Sequence, residues 1–206
     1  MLELYYAPET CALATHIALE DAGADYRLHR VDFGKGEQRS ADFLAVNPKG
    51  RVPALATARG ILTETPAMLA FLAQSYPDAG LAPLDDPFAF ARLQAFNSYL
   101  CATLHVAHAH RMRGHRWADE PEAIAAMQRK VPEAVGACWA YVEDEAFAGP
   151  FVMGAAYTIA DPYLFTLAQW MEGDGVDPAR FPKLAAHRAM MGERESVLAA
   201  LRAEAG

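Results

Sequence analysis

The sequence is poor in cysteine, has no excess of positive charge and lacks long apolar segments. Its 206 residues include three cysteines, and 18 Lys and Arg stand against 26 Asp and Glu, for a formal charge of −8. Three widely spaced cysteines do not form a disulfide framework, and no stretch approaches the roughly 18 apolar residues of a membrane span. The acidic balance argues against nucleic-acid or anionic-membrane partners. Because no basic and apolar leader follows Met1, we expect a cytoplasmic protein with free thiols.

The length allows one large domain or two small ones, and the composition changes near residue 80. Short strand-like and helical runs precede that point, whereas the remainder is rich in Ala, Leu, Glu and Arg and reads as helix. The stretch PDAGLAPLDDP, from Pro77 to Pro87, has no periodicity. We therefore predict a first domain at 1–78, a linker at 79–87 and an all-helical domain at 88–206.

The first domain is predicted to follow the order βαβ and then αββα. Alternating apolar residues indicate the first strand, and two short runs around Arg59-Gly60 indicate a β-hairpin. A βαβ unit followed by a hairpin requires a mixed sheet with helices on its faces. The predicted elements are the strands 2–6 and 26–31, the hairpin 52–55 with 61–63, and the helices 11–22, 41–46 (capped by Ser40) and 65–76 (capped by Thr65).

In the second part, 88–113 is predicted to be one long helix ended by Gly114. A second helix at 121–145 contains Pro132 and Gly136, so we expect a kink or a break there. Thr158 and Asp161 have the spacing of a helix-capping box. Further short helices are predicted at 163–171, 182–191 and 194–204.

Cys11 is the sharpest chemical feature of the sequence. It lies between the first strand and the first helix, where free N–H groups and the helix dipole favour an anion and are expected to lower the pKa of the thiol. The alternative is a small buried side chain, the usual fate of a free cysteine. Because Ala14 occupies the second position of a C-x-x-C pattern, redox chemistry here would need an external thiol.

Two loops could contribute backbone groups to a site near Cys11. A cis peptide before Pro53 would turn the Val52 N–H and C=O outward beside the first helix, although an ordinary trans proline is the alternative. Glu64 and Thr65 precede a helix whose free N–H groups suit a ligand carboxylate while Glu64 takes an amine. Simple helix capping by Thr65 is the competing interpretation.

Four histidines are interleaved with arginines near the end of the long helix. His105 and His108 share a helical face, but no carboxylate or cysteine joins them at ligand spacing, so no metal site is predicted. We expect at most one of these histidines to face a substrate. Cys101, Cys138 and Trp170 lie among apolar residues and are predicted to be buried.

Five stretches together resemble the cytosolic glutathione S-transferases, most closely the bacterial beta class. The likeness covers essentially the whole chain, and NPKG-x-VPAL followed about a hundred residues later by TIAD is its most specific part. The stretches are YYAPETCALATH (5–16), AVNPKGRVPAL (45–55), LTETPA (62–67), TLH (103–105) and YTIADPYLF (157–165).

This resemblance implies a thioredoxin-like first domain, an all-helical second domain and a homodimer that uses glutathione as co-substrate, with no permanently bound cofactor. It implies catalytic roles for Cys11, beside the glutathione sulfur, and for His105. The glutathione-binding residues would be Thr10, Lys35, Val52, Pro53, Glu64 and Thr65, with Lys35 at the glycine end. The electrophile would lie near His108, Met112 and Trp117. Thr65-Pro66 and Ala102 depart from the family pattern.

The function implied is conjugation of the glutathione thiolate to small hydrophobic electrophiles, as in detoxification. A mixed disulfide of Cys11 with glutathione offers a second activity, thiol–disulfide exchange. The alternatives are a narrower glutathione-dependent enzyme, such as a dehalogenase, isomerase or reductase, and a non-catalytic interaction protein on the same fold.

Overall fold

The computed structural model describes residues 1–205, and its first part is built on a four-stranded mixed sheet in the order β2-β1-β3-β4. β1 runs parallel to β2, while β3 is antiparallel to both β1 and β4. The crossover through α1 makes the first pair parallel, and the tight turn at Ala58-Arg59 makes the last pair a hairpin. The predicted mixed sheet is confirmed. The strands are β1 (Leu2–Tyr6), β2 (Tyr26–Arg30), β3 (Ala54–Thr57) and β4 (Gly60–Thr63).

Three helices accompany the sheet and six follow it. α2 begins where predicted, because the Ser40 hydroxyl accepts a hydrogen bond from the Phe43 N–H at 3.2 Å. The helices are α1 (Ala12–Asp21), α2 (Ala41–Val46), α3 (Thr65–Ser75), α4 (Pro87–Tyr99), α5 (His105–Arg113), α6 (Pro121–Tyr141), α7 (Ala160–Ala168), α8 (Pro182–Gly192) and α9 (Glu195–Ala205).

Two long helices differ from the predictions. The predicted helix 88–113 is α4 and α5 joined by a π-helical segment, Leu100–Leu104, so the chain stays helical but its hydrogen bonding changes. α6 does not break at Pro132 and instead passes into a second π-helical segment, Val142–Ala146. Pro132 has no N–H and therefore removes one intrahelical hydrogen bond, and packing of the surrounding buried face holds the helix together.

The predicted capping box before α7 is confirmed, and it is fully buried. The Asp161 carboxylate accepts hydrogen bonds from the Thr158 N–H (2.7 Å) and hydroxyl (3.2 Å), and also from the Val152 N–H (2.8 Å) and His187 Nε2 (3.0 Å). One buried carboxylate therefore joins α7 to the preceding loop and to α8.

The sheet and the C-terminal helices share a continuous apolar core that runs from Leu4 to Leu184. α1 packs against both α7 and α9. At that contact His16 Nδ1 lies 2.9 Å from the Glu204 carboxylate, with both side chains buried. α1 is therefore fixed between the sheet and the C-terminal helices, which positions its N-terminus. No helix within residues 1–205 has the length and apolar character of a bilayer span.

Candidate active site

A cleft of about 1160 Å³ lies between the sheet half and the helical half of the chain. Both halves contribute predicted site residues to its walls, and Lys35 is the one predicted site residue that does not line it. The predicted residues in the walls are Thr10, Cys11, Val52, Pro53, Glu64 and Thr65 from the sheet half and His105, His108, Met112 and Trp117 from the helical half.

Cys11 occupies the N-cap position of α1, half-buried, and its thiol lies 3.8 Å from the Val52 carbonyl oxygen, to which it can donate. Burial raises the pKa of this thiol to about 11 and outweighs the Thr65 hydroxyl and the Cys11 N–H, which act in the opposite direction. The prediction of a lowered pKa is wrong. Desolvation of the sulfur disfavours its charged form more than the polar groups at the start of the helix favour it.

Two loops beside Cys11 line the cleft. The Thr10 hydroxyl donates to the Ala7 carbonyl at 2.7 Å and accepts from the Ala12 N–H at 3.3 Å, which fixes the turn into α1. The Val52–Pro53 peptide is cis, as the cis alternative predicted. The Val52 carbonyl oxygen lies beside Cys11, although the two residues are 41 positions apart in the sequence.

Glu64, and not Thr65, holds the position before α3. Its φ of 73° is unusual for a residue with a side chain, and no side chain caps the helix, so the capping prediction for Thr65 is wrong. Thr65 is buried in the first turn, with its hydroxyl directed to Cys11. The Glu64 carboxylate is exposed and pairs with the Lys49 ammonium, which also donates to the Thr63 hydroxyl at 2.7 Å. A strained residue with an exposed carboxylate at a cleft edge is typical of a ligand contact.

Lys35 is 84% exposed and pairs with Asp32, 3.2 Å away. Four polar side chains that the sequence analysis did not select line the cleft. These are Gln38, Arg39, Lys49 and Arg51.

In the helical wall, His105 and His108 lie side by side, with ring centroids 6.1 Å apart. Burial, aided by the neighbouring His108 and by Arg116, lowers the pKa of His105 to about 4, so this ring is neutral near pH 7. His108 stacks on the Trp170 indole, with centroids 4.2 Å apart and an interplanar angle of 21°. The two histidines thus have different surroundings within one wall.

Three further features of the helical wall escaped the sequence analysis. Cys101 and Trp170, predicted to be buried, are only half-buried and line the cleft, whereas Cys138 is buried as predicted. The spacing of Cys101 four residues before His105 was the available signal, because both then fall on one helical face. Asp174, which pairs with His108, stands in no motif and gave no signal. Within residues 1–205 no group of three or more His, Cys, Asp and Glu is arranged to hold a metal ion.

Comparison with known proteins identifies this arrangement. A family model for the glutathione S-transferase N-terminal domain matches residues 1–74. Glutathione S-transferase GstA of Escherichia coli is 33% identical, over 98% of both chains. The chain belongs to the glutathione S-transferase family. A glutathione transferase homologue from Sulfitobacter was solved with bound glutathione. It has a TM-score of 0.94 at 47% identity, and the match covers 97% of this chain and 96% of the homologue.

Further relatives of this glutathione S-transferase include both a transferase and an isomerase. A bacterial beta class glutathione S-transferase from Sphingomonas chungbukensis has a TM-score of 0.80 at 35% identity, over 98% of both chains, in agreement with the predicted class. Maleylacetoacetate isomerase of Pseudomonas aeruginosa is 29% identical, over 89% of this chain and 87% of the isomerase. The family is therefore established, and it includes more than one reaction type.

Proposed function

We propose that this chain is a glutathione transferase that conjugates the glutathione thiolate to small hydrophobic electrophiles. The observation that carries the proposal is the single cleft in which Cys11, the Val52 backbone and the Glu64-Thr65 turn face His105 and His108. Two similar structures were solved with bound glutathione, which supports glutathione as the co-substrate here.

In this proposal Glu64 and the N-terminus of α3 take the γ-glutamyl end, and the Val52 backbone pairs with the cysteinyl unit. That places the glutathione sulfur beside Cys11 at the start of α1, where N–H groups and the helix dipole stabilise its thiolate. Cys11, whose own pKa is raised to about 11, stays protonated and donates its S–H to that thiolate. Activation then means stabilising glutathione's charge, while Cys11 keeps its proton.

The glycine end has two candidate partners. The family resemblance favours Lys35, whereas the cleft wall offers Arg51, an exposed arginine without a carboxylate partner among residues 1–205. We favour Arg51, because Lys35 would have to leave Asp32 and move to the cleft. We further propose the division into a glutathione-binding domain at 1–78, a linker at 79–87 and an electrophile-binding domain at 88–206, in a cytoplasmic homodimer.

Thiol–disulfide exchange is the secondary activity of this site. The Cys11 thiolate would attack the glutathionyl sulfur of a disulfide between glutathione and another thiol, and release that other thiol. A second glutathione would then attack the resulting Cys11–glutathione disulfide, which restores Cys11 and leaves oxidised glutathione. The raised pKa of Cys11 makes the first step slow near pH 7.

Isomerisation is the second candidate reaction, favoured by the similarity to maleylacetoacetate isomerase. Addition of the thiolate to an electron-poor alkene, bond rotation and loss of the thiolate would return glutathione unchanged. Consumption of glutathione therefore separates the two reactions, because conjugation uses one glutathione per product and isomerisation uses none.

Calorimetric titration with reduced glutathione tests the proposal. We expect one site per chain with a Kd between about 1 μM and about 1 mM, or roughly −8 to −4 kcal/mol. Glu64→Ala and Arg51→Ala should each weaken binding at least tenfold, while Lys35→Ala, a matched loss of one positive charge, should leave it unchanged. Absence of binding at two temperatures would refute the proposal and favour an interaction protein.

A conjugation assay with a benzyl halide completes the test. Cys11→Ala should retain most of this activity, since the helix N-terminus remains, and should lose disulfide exchange. Loss of both activities would indicate a covalent role for Cys11 instead.

A further inference from the structure

Asp174 is a buried carboxylate committed to the helical wall of the cleft. It lies in the loop after α7 and is only 3% exposed. Both of its oxygens are within hydrogen-bond distance of His108 Nδ1, at 2.9 and 2.8 Å, and the Arg111 Nε lies 3.5 Å away as an ion pair without hydrogen-bond geometry. A buried carboxylate needs such partners, and here both come from α5.

The Asp174 contact fixes which nitrogen of His108 is free. Because a carboxylate only accepts hydrogen bonds, the proton in this contact is on Nδ1, and the other ring nitrogen, Nε2, takes no part in the contact. The ring is also held flat against Trp170. His108 lines the cleft and is 18% exposed, and Nε2 has no hydrogen-bond partner within residues 1–205. Nε2 is therefore the polar atom that this side chain offers to a bound molecule.

Gly173 makes room for this arrangement. A Cβ at this position would lie 2.2 Å from the Arg111 Nη1, so a side chain there would displace the guanidinium from Asp174. The carboxylate is thus packed between a histidine and an arginine, with a glycine beside it that permits the approach.

His105 cannot fill the same role. It has no carboxylate partner among residues 1–205, and burial keeps its ring neutral near pH 7. His108 instead has a carboxylate that compensates a positive ring when Nε2 is protonated, the same role that an aspartate has in Ser-His-Asp sites.

We propose that His108 is a catalytic residue that donates a hydrogen bond and then a proton from Nε2 to an oxygen of the second substrate, with Asp174 as its positioning residue. The electrophiles that need this proton are α,β-unsaturated carbonyl compounds. This inference rests on the proposed transferase function and concerns the residue that acts on the second substrate of the same site.

The step balances as an addition. The glutathione thiolate forms a C–S bond to the β carbon, and the alkene electron pair moves through the conjugated system to the carbonyl oxygen. His108 gives its Nε2 proton to that oxygen, the resulting enol returns to the carbonyl form, and the ring recovers a proton from water. An alkyl halide needs none of this, because its charge leaves on the halide.

Two electrophiles compared on matched variants test the proposal. The measurement is kcat/KM at saturating glutathione for a 2-alkenal and for a benzyl halide. The readout is the value for the alkenal divided by the value for the halide. In His108→Gln and Asp174→Asn this ratio should fall by about 10- to 100-fold, below the effect of an oxyanion-hole donor in an enclosed site. His110→Gln is the control, because His110 lies on the same helix and packs on Trp117 but does not line the cleft.

An unchanged ratio in His108→Gln overturns the proposal, since a purely structural role would lower both activities together. If Asp174→Asn fails to fold, His108→Gln decides alone, with its thermal unfolding as the check on folding. Glutathione calorimetry on the same proteins separates this result from failure of the proposed function. If the wild-type chain binds no glutathione and uses neither electrophile, the proposed transferase function is refuted. If the wild-type chain is active on both electrophiles and His108→Gln has the same ratio of activities, only the role of His108 is refuted.

Discussion

The reactivity of Cys11 with an alkylating reagent should titrate far above the ordinary cysteine range. The pKa of about 11 arises chiefly from burial of the sulfur and is held from rising further by the Thr65 hydroxyl. At about pH 7.5 this leaves a thiolate fraction of about 0.0003, against about 0.09 for a cysteine of pKa about 8.5. The thiolate population is thus reduced by about 300-fold.

The rate falls by less than the population. A thiolate of higher pKa is more nucleophilic. With a Brønsted slope of about 0.45, a pKa difference of about 2.5 raises the rate constant of the thiolate roughly 13-fold. We therefore expect alkylation about 20-fold slower than for an unperturbed thiol, before any loss through limited access. The pH midpoint of the reaction is independent of access and is the decisive readout.

The assay follows iodoacetamide labelling by mass spectrometry in a Cys101→Ser/Cys138→Ser variant, so that Cys11 is the one thiol present. The rate should rise with pH up to the stability limit of the fold without a plateau below about pH 9.5. Thr65→Val should move the profile further upward, because it removes the group that favours the thiolate. A plateau with a midpoint below about 8.5 would refute the reasoning and restore the helix N-terminus as the dominant influence on this thiol.

Three further outcomes follow from buried polar groups. The pKa of His105 lies at about 4 in the folded chain and about 6.5 when unfolded, so its contribution to the free energy of unfolding is complete above about pH 6.5 and is lost on acidification. Between about pH 7 and pH 4.5, urea unfolding of the wild type should lose about 2.5 kcal/mol more than that of His105→Gln, and equal losses would contradict this. Asp161→Ala leaves four buried donors without their acceptor and should cost at least about 4 kcal/mol, against about 1 kcal/mol for the exposed helix cap in Asp86→Ala; similar costs would count against the buried network. Glu204→Ala leaves buried His16 without its carboxylate and should cost about 2 kcal/mol and speed proteolysis of α9, whereas Glu195→Ala, on the exposed start of that helix, should do neither.

Local signals predicted most of the fold. The alternation of apolar residues predicted β1, and Ser40 predicted the start of α2. The spacing of Thr158 and Asp161 predicted the turn before α7. Each of these depends on residues close together in the chain, which is why pattern alone sufficed. The segment at Leu100–Leu104 could not be seen in this way, because α- and π-helical turns use the same kinds of residue.

The candidate site was predictable in outline but not in its electrostatics. The motifs selected Cys11, Val52 and Glu64, which the fold brings to one cleft. The direction of the Cys11 pKa depends on how deeply later parts of the chain bury the sulfur, and the sequence position shows only the helix N-terminus. Asp174 approaches His108 from 66 residues away, without a motif to mark it.

The π-helical segment between α4 and α5 determines the rotational phase of the helical wall. The His105 N–H bonds to the Leu100 carbonyl, five residues back, so the segment accommodates one residue more than an α-helical turn would. Each residue of an α-helix turns the chain by about 100°, and deleting one residue from this segment would therefore rotate every side chain of α5 by about that angle. His105 and His108 would leave the cleft together, and their neighbours would replace them. A change of length by one residue can thus exchange the whole cleft-facing surface of α5 while the sheet half keeps its residues.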